Sequence, residues 1–231
     1  MTSDADVPDT YPVSRLGLQT IAEHVLAAAL YQATGHIGLR ATPGGFGTPT
    51  YAIDRQQGQL RVEGVEIVVS RGPAERRAPI ETVGQVAAFV GVTPGAPADV
   101  YTPTTALDPD APLRIDEAAA AIVHRWYGEA SAALELLGTS HGIGDPPTAQ
   151  LWPEHFDLAV SIDQVNYGAS PGDADHPEPY AYVGPWQVDG LAGDFWNESF
   201  GASRPHHELG DAAAIASFFQ TGRDLTSRRG G

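Results

Sequence analysis

Strand-like segments occur in two separate clusters along this chain, and helix-like segments lie before, between and after the clusters. The first cluster covers residues 37–41, 50–53 and 60–70, and the second lies within 151–186. Inside each cluster the strands are separated by short turns, as antiparallel pairing allows. This order predicts an α+β fold with mostly antiparallel sheets and argues against a doubly wound parallel sheet.

Three amphipathic patterns predict the helices that pack on these sheets. Apolar residues recur at three- and four-residue spacing from Ser14 to Gly35, from Asp116 to about residue 137, and from Asp211 to Asp224. Residues 80–92 fit either a short helix or a buried strand. Periodicity does not separate the two over so short a run.

A proline-rich stretch at 93–112 divides the chain and carries five prolines. It predicts a long connection between possible subdomains 14–92 and 113–226 of a single α+β domain. The polar residues 1–13 predict a disordered N-terminus, and residues 227–231 predict a frayed tail.

Composition excludes several classes of chemistry. The chain has no cysteine, which excludes disulfides, cysteine zinc sites, iron–sulfur clusters and thiol nucleophiles. All 13 basic residues are arginine, so Schiff-base chemistry and a phosphate-binding lysine are excluded as well. The same bias is typical of a GC-rich, bacterial gene.

The net charge of -16 acts against binding to nucleic acid or to an anionic membrane, because phosphates are repelled. It fits a cationic partner, a metal ion or simple solubility. The N-terminus lacks the basic and apolar regions of a signal peptide. The longest apolar run, at 25–31, is far shorter than the ~20 residues of a membrane span. We therefore expect a soluble, cytoplasmic protein.

The glycine-rich loop 42–49 resembles a phosphate-binding loop only superficially. It lacks the lysine and the glycine spacing of the known phosphate motifs. A glycine-hinged connection between strands is the favoured interpretation, and close approach of a ligand to the backbone is the alternative.

Residues 151–163 alternate as one strand would, with His155, Asp157, Ser161 and Asp163 on its polar face. A His-x-Asp pair on one face places the two residues about 7 Å apart at the backbone, so that their tips can converge on one ion. The pattern predicts His155 and Asp157 as a catalytic acid–base pair or as ligands of a divalent metal. His176 and His206 are the further candidate ligands. The alternative is a half-buried strand whose polar face meets water.

The long loop that follows this segment is acidic and stiffened by proline. Its candidate binding residues are Asp173, Asp175 and Glu178, and the aromatic candidates beside it are Trp152 and Tyr182. No calcium-loop spacing is present. A solvated acidic loop is the alternative to a ligand site.

Three motifs carry a resemblance: Trp152-Pro-x-His-Phe-Asp157, Ser170-Pro-Gly-Asp173 and Pro177-Glu-Pro-Tyr-x-Tyr-Val183. Over about 151–186 the chain resembles a family of uncharacterised bacterial proteins, mainly actinobacterial, and this resemblance implies no mechanism. We expect a small-molecule enzyme or enzyme-like protein with a polar His/Asp site in 151–186. The alternative is a non-catalytic acidic binding or scaffold protein for a cationic partner or ligand.

Overall fold

A computed structural model describes residues 7–139 and 148–228, and its antiparallel sheets and helices confirm the predicted α+β fold. The helical elements are α1 Tyr11–Ile21, a π-helical segment Ala22–Ala27, α2 Ala28–Thr34, α3 Val83–Val90, α4 Glu117–Thr139, α5 His206–Leu209 and α6 Ala212–Ser227. The strands are β1 Arg40–Thr42, β2 Gly45–Gly47, β3 Tyr51–Ile53, β4 Gln56–Glu63, β5 Glu66–Arg71, β6 Ala74–Pro79, β7 Gln150–Trp152, β8 Asp157–Ile162, β9 Val165–Ser170, β10 Tyr180–Pro185 and β11 Ala202–Pro205.

The described residues form two compact units. The N-terminal unit contains residues 7–128 and 151–156, and the C-terminal unit contains 129–139, 148–150 and 157–228. The chain therefore passes between units within α4 and around β7. The proline-rich stretch 93–112 lies wholly inside the N-terminal unit.

Side-chain caps explain where three of the helices begin. Thr82 accepts a hydrogen bond from the Gln85 N–H at 3.2 Å, so the ambiguous segment 80–92 contains a helix. Asp116 and Asp211 cap α4 and α6 in the same way, at 3.0 and 2.8 Å. Within the described residues, no helix is both long enough and apolar enough to cross a membrane.

The sheet of the N-terminal unit has the order β1-β2-β4-β5-β6, with β3 also paired to β4. The prediction of one strand over 60–70 is wrong, because β4 and β5 form a hairpin that turns at Gly64, where φ is +58°. Apolar alternation continues through that turn, with Val62 paired to Ile67, and so conceals it. Strand β6 is exposed and rich in charged residues. It was not predicted, because its sequence has no alternation of apolar and polar residues.

In the C-terminal unit four strands run antiparallel in the order β11-β10-β9-β8, and their register separates two faces. One row is Val160, Tyr167, Val183 and Ala202, and the adjacent row is Ala159, Gly168, Tyr182 and Ser203. Helix α6 packs on the first face, where the Phe219 ring meets Tyr167 edge-on at 6.0 Å. The opposite face carries the polar side chains.

Candidate functional site

The polar face of the C-terminal sheet contains a hydrogen bond between Tyr182 and Asp157. The Tyr182 hydroxyl, on β10, donates to Asp157 Oδ2 on β8. Asp157 lies on the same face as Ala159, two residues along the strand. It is buried, with 7% of its surface exposed. A buried carboxylate is thus held by a phenol that reaches it from two strands away.

Gly168 permits this reach. It lies on β9 between the two strands, paired with Tyr182. A Cβ built on Gly168 would lie 2.6 Å from Tyr182 Cε1 and closer still to the hydroxyl. The phenol therefore lies directly over the glycine backbone, and any side chain there would displace it.

A second chain of hydrogen bonds runs beside the first. The Tyr180 hydroxyl donates to Asp173 Oδ2 at 2.7 Å. The His176 ring stacks near Tyr180, with centroids 4.6 Å apart, and its Nε2 lies 3.1 Å from Glu198 Oε1. Glu198 also accepts from the Ser203 hydroxyl at 2.8 Å. We call Asp157, Tyr182, Tyr180, Asp173, His176 and Glu198 the tyrosine–carboxylate cluster.

The surroundings fix the protonation of four members of the cluster. Burial, reinforced by the nearby Asp157 and Asp173 carboxylates, raises the pKa of Tyr182 and of Tyr180 above the ordinary value. Burial alone would raise the pKa of Asp173, but hydrogen bonds from Tyr180 and from two backbone N–H groups lower it. Hydrogen bonds from Ser203 and His176 lower the pKa of Glu198. At neutral pH the protonated Tyr180 phenol therefore faces the ionised Asp173 carboxylate.

The prediction that His155 and Asp157 share one strand face is wrong in its geometry. His155 is an exposed residue of the turn between β7 and β8, and strand β8 begins only at Asp157. Phe156 between them has φ of +52°, which interrupts the alternation that the sequence suggests. The two residues also belong to different units.

The other predicted metal ligands have separate carboxylate partners. His176 contacts Glu198, while His206 Nε2 lies 3.1 Å from Glu129 Oε2. Among residues 7–139 and 148–228, no group of three or more His, Cys, Asp or Glu is placed to hold a metal ion. The divalent-metal prediction therefore gains no support from the described geometry.

The predicted binding residues are partly brought together. Asp173 and Tyr182 belong to the cluster, whereas Glu178 pairs with His207 Nδ1 at 3.1 Å and Asp175 is exposed. Trp152 is an exposed residue of the N-terminal unit. Two members, Tyr180 and Glu198, were not predicted as site residues. The spacing Tyr180-x-Tyr182 on one strand carried the signal for the first.

The glycine-rich loop 42–49 is explained by strand pairing. A Cβ on Gly45 would overlap the Val62 carbonyl oxygen, and one on Gly47 would overlap that of Leu60. Both glycines therefore allow β2 to approach β4. The segment predicted to be a connection between strands thus contains a paired strand of its own, Gly45–Gly47.

Comparison of the chain with protein-family models, with curated proteins and with solved structures gave no match to any of them.

Proposed function

We propose that the tyrosine–carboxylate cluster binds a small polar molecule and performs acid–base chemistry on it. The observation that carries this proposal is the hydrogen bond from Tyr182 to the buried Asp157 carboxylate. Pairs of titratable groups in contrasting environments are typical of acid–base sites. The resemblance over 151–186 is consistent with these positions acting as a unit.

Each group has a role that its surroundings suit. A phenol that stays protonated donates a hydrogen bond to a substrate oxygen as charge develops there. A carboxylate at Asp157 accepts a proton from the substrate once Tyr182 turns its hydroxyl toward that oxygen. Asp173 and Glu198, whose side chains are 44% and 25% exposed, are open to polar groups of the same ligand.

Thermal-shift screening of small polar metabolites tests the proposal, with wild type compared against Asp157→Asn and Tyr182→Phe. Ligand that binds the folded state at about 100 times its Kd adds about 2.7 kcal/mol to the stability. We expect active compounds to stabilise the wild type and to lose that effect in both variants. The matched control is Asp194→Asn, at an exposed position in the same unit. Equal stabilisation of all four proteins would contradict the proposal.

Non-catalytic recognition of a cationic ligand is the second candidate. The observation that favours it is the charge of the cluster: among the described residues, the ion-pair contacts of Asp173 and Glu198 come only from His176. A polyamine such as spermidine would then bind with an affinity that falls with added salt. Saturable binding that Asp157→Asn weakens, without any chemical change in the ligand, would select this candidate over the first.

A further inference from the structure

Trp186, the residue that follows strand β10, is the most exposed large apolar residue of the described chain. Its exposed fraction is 60%. It is nevertheless held at two points. Its backbone N–H donates to the Gln164 carbonyl at 2.9 Å, and its indole Nε1–H donates to Asn166 Oδ1 at 3.1 Å. The indole is therefore an exposed aromatic surface in a fixed orientation, and a ligand that packs on it pays little to order the side chain.

The side-chain amide of Asn166 is oriented by the same contacts. An indole N–H can only donate, so the atom of Asn166 that faces it is the carbonyl oxygen. That oxygen also accepts from the Ser161 hydroxyl at 2.6 Å, and the two donors use both of its lone pairs. The Asn166 Nδ2 group has no hydrogen-bond partner among the described residues. It therefore presents two N–H donors beside the indole.

Gly184 leaves space on the same face of the sheet. It lies on β10 opposite Asn166, and the alternation of a strand places it between Tyr182 and Trp186 on that face. A Cβ built on Gly184 would come no closer than 3.7 Å to the surrounding residues, and the φ of Gly184 lies outside the left-handed region. Neither packing nor backbone conformation thus requires glycine here. Glycine inside a strand weakens it and often marks a place where a ligand approaches the backbone.

We propose that Ser161, Asn166, Gly184 and Trp186, which we call the Trp186 platform, bind the ring of a neutral saccharide. The C–H groups on one face of a pyranose pack against the indole, and the missing side chain at Gly184 makes room for the ring. The Asn166 N–H groups donate to sugar oxygens, and the Ser161 oxygen accepts from a sugar hydroxyl. This site goes beyond the acid–base function proposed above and does not depend on it, because none of its residues belongs to the tyrosine–carboxylate cluster.

The polar groups of the platform favour a neutral ligand over a charged one. The hydrogen bonds of Ser161, Asn166 and Trp186 within the described chain involve no arginine, so a phosphate or carboxylate would find no charged donor. The net charge of -16 also repels an anion. The N–H groups of a cation would meet the N–H donors of Asn166. A saccharide carries acceptor oxygens, hydroxyl donors and an apolar ring face, which match all three groups of the platform.

Two-dimensional proton–nitrogen NMR tests the site, because the Trp186 indole N–H and the Asn166 side-chain amide each give their own signals. The probes are the methyl glycopyranosides of glucose, galactose and mannose. The matched probe is sorbitol, an open-chain polyol without a ring face. We expect both signals to shift saturably with at least one glycoside and not with sorbitol. The indole signal of Trp152, in the N-terminal unit, is the internal control and should not move.

Matched substitutions assign the binding to the platform. Trp186→Ala and Gly184→Ala should each weaken the affinity at least about tenfold, because the first removes the stacking surface and the second fills the space of the ring. Trp152→Ala, at another exposed tryptophan, should keep the wild-type affinity. Asp157→Asn, which disables the proposed acid–base chemistry, should keep it too, so that failure of one proposal is distinguishable from failure of the other.

Several results would overturn the saccharide site. They are the absence of saturable shifts with every glycoside, an equal response to sorbitol, and wild-type affinity in Trp186→Ala or Gly184→Ala. Loss of binding in Trp152→Ala or Asp157→Asn would overturn it as well, because the sugar would then bind elsewhere. Circular dichroism of each variant confirms that it is folded before its affinity is compared.

Discussion

The Tyr182 hydroxyl donates a hydrogen bond across strand β9 to the carboxylate of Asp157. The two residues lie on strands that are not neighbours in the sheet, so the bond adds a side-chain link to the backbone ladder. It also keeps the buried carboxylate in contact with a donor, which an apolar neighbour would not do.

Removal of the Tyr182 hydroxyl should therefore cost stability. We expect Tyr182→Phe to lower the free energy of unfolding by about 1–3 kcal/mol, since a buried carboxylate loses one hydrogen bond. Urea denaturation measures the change. The control is Tyr31→Phe, whose hydroxyl donates to the exposed Asp99 at 2.6 Å and should matter little. Equal losses in the two variants would show that the link to Asp157 carries no special stability.

Gly168 should be intolerant of even one methyl group. Gly168→Ala places a Cβ against the Tyr182 ring, and we expect a loss of about 1–3 kcal/mol together with displacement of the phenol. Near-ultraviolet circular dichroism reports the change in tyrosine packing. Gly184→Ala is the matched control on the adjacent strand, because its Cβ would lie 3.7 Å from the nearest atom, an ordinary contact. Wild-type stability and spectrum in Gly168→Ala would refute the packing argument.

Local sequence patterns were sufficient for the two helices α4 and α6 and for the fold class. They left α3 undecided and missed the short α5, and α1 begins at Tyr11, within the residues 1–13 that were predicted to be disordered. The N-cap residues at 116 and 211 and the apolar spacing behind them placed α4 and α6 within a few residues, because a helix is determined by neighbours three and four positions away. The turn at Gly64 was missed for the opposite reason. Apolar alternation survives a two-residue hairpin, so a single long strand and a hairpin produce the same pattern.

The cluster was predictable only in part. Asp157, Asp173 and Tyr182 stood out by their residue types, but the partner of Asp157 depends on strand order and register, which are long-range properties. His155 was misplaced because the positive φ of Phe156 has no signature in its residue type. The buried contacts of Glu23 with Thr104 and Thr105 were not predicted at all, since glutamate on an amphipathic helix ordinarily faces solvent.

Glu23 should be more important for folding than its place on a helix suggests. We expect Glu23→Gln to lower the free energy of unfolding by about 3 kcal/mol, because the amide group of glutamine turns N–H donors toward the donors of Thr104 and Thr105. Hydrogen exchange should show faster opening of those two amides. The matched control is Glu81→Gln, at an exposed position in the same unit. Unchanged exchange at Thr104 and Thr105 would mean that the carboxylate does not hold the proline-rich stretch.

His124 should make the protein sensitive to mild acid. Burial lowers the pKa of His124 from 6.5 to about 4, and its Nε2 has no hydrogen-bond partner among the described residues. Between these two values the unfolded chain binds more protons than the folded one. The contribution of the neutral His124 ring to the free energy of unfolding is therefore complete above the pKa that His124 has in the unfolded chain. It is lost as the pH falls toward the lower pKa that His124 has in the folded protein. From about pH 7 to about pH 5 the expected loss is about 2 kcal/mol.

Urea denaturation at those two pH values measures this loss in the wild type and in His124→Gln, which has no titrating ring. The variant should show a pH dependence smaller by about 2 kcal/mol, although its absolute stability also changes. Carboxylates such as Asp173 and Glu198, whose pKa values are lowered, also lose their stabilising effect at lower pH. Subtracting the pH-dependent loss of His124→Gln from that of the wild type removes their contribution. His36→Gln, at an exposed position, should retain the wild-type slope. A wild-type slope in His124→Gln would show that His124 is not the acid-sensitive group.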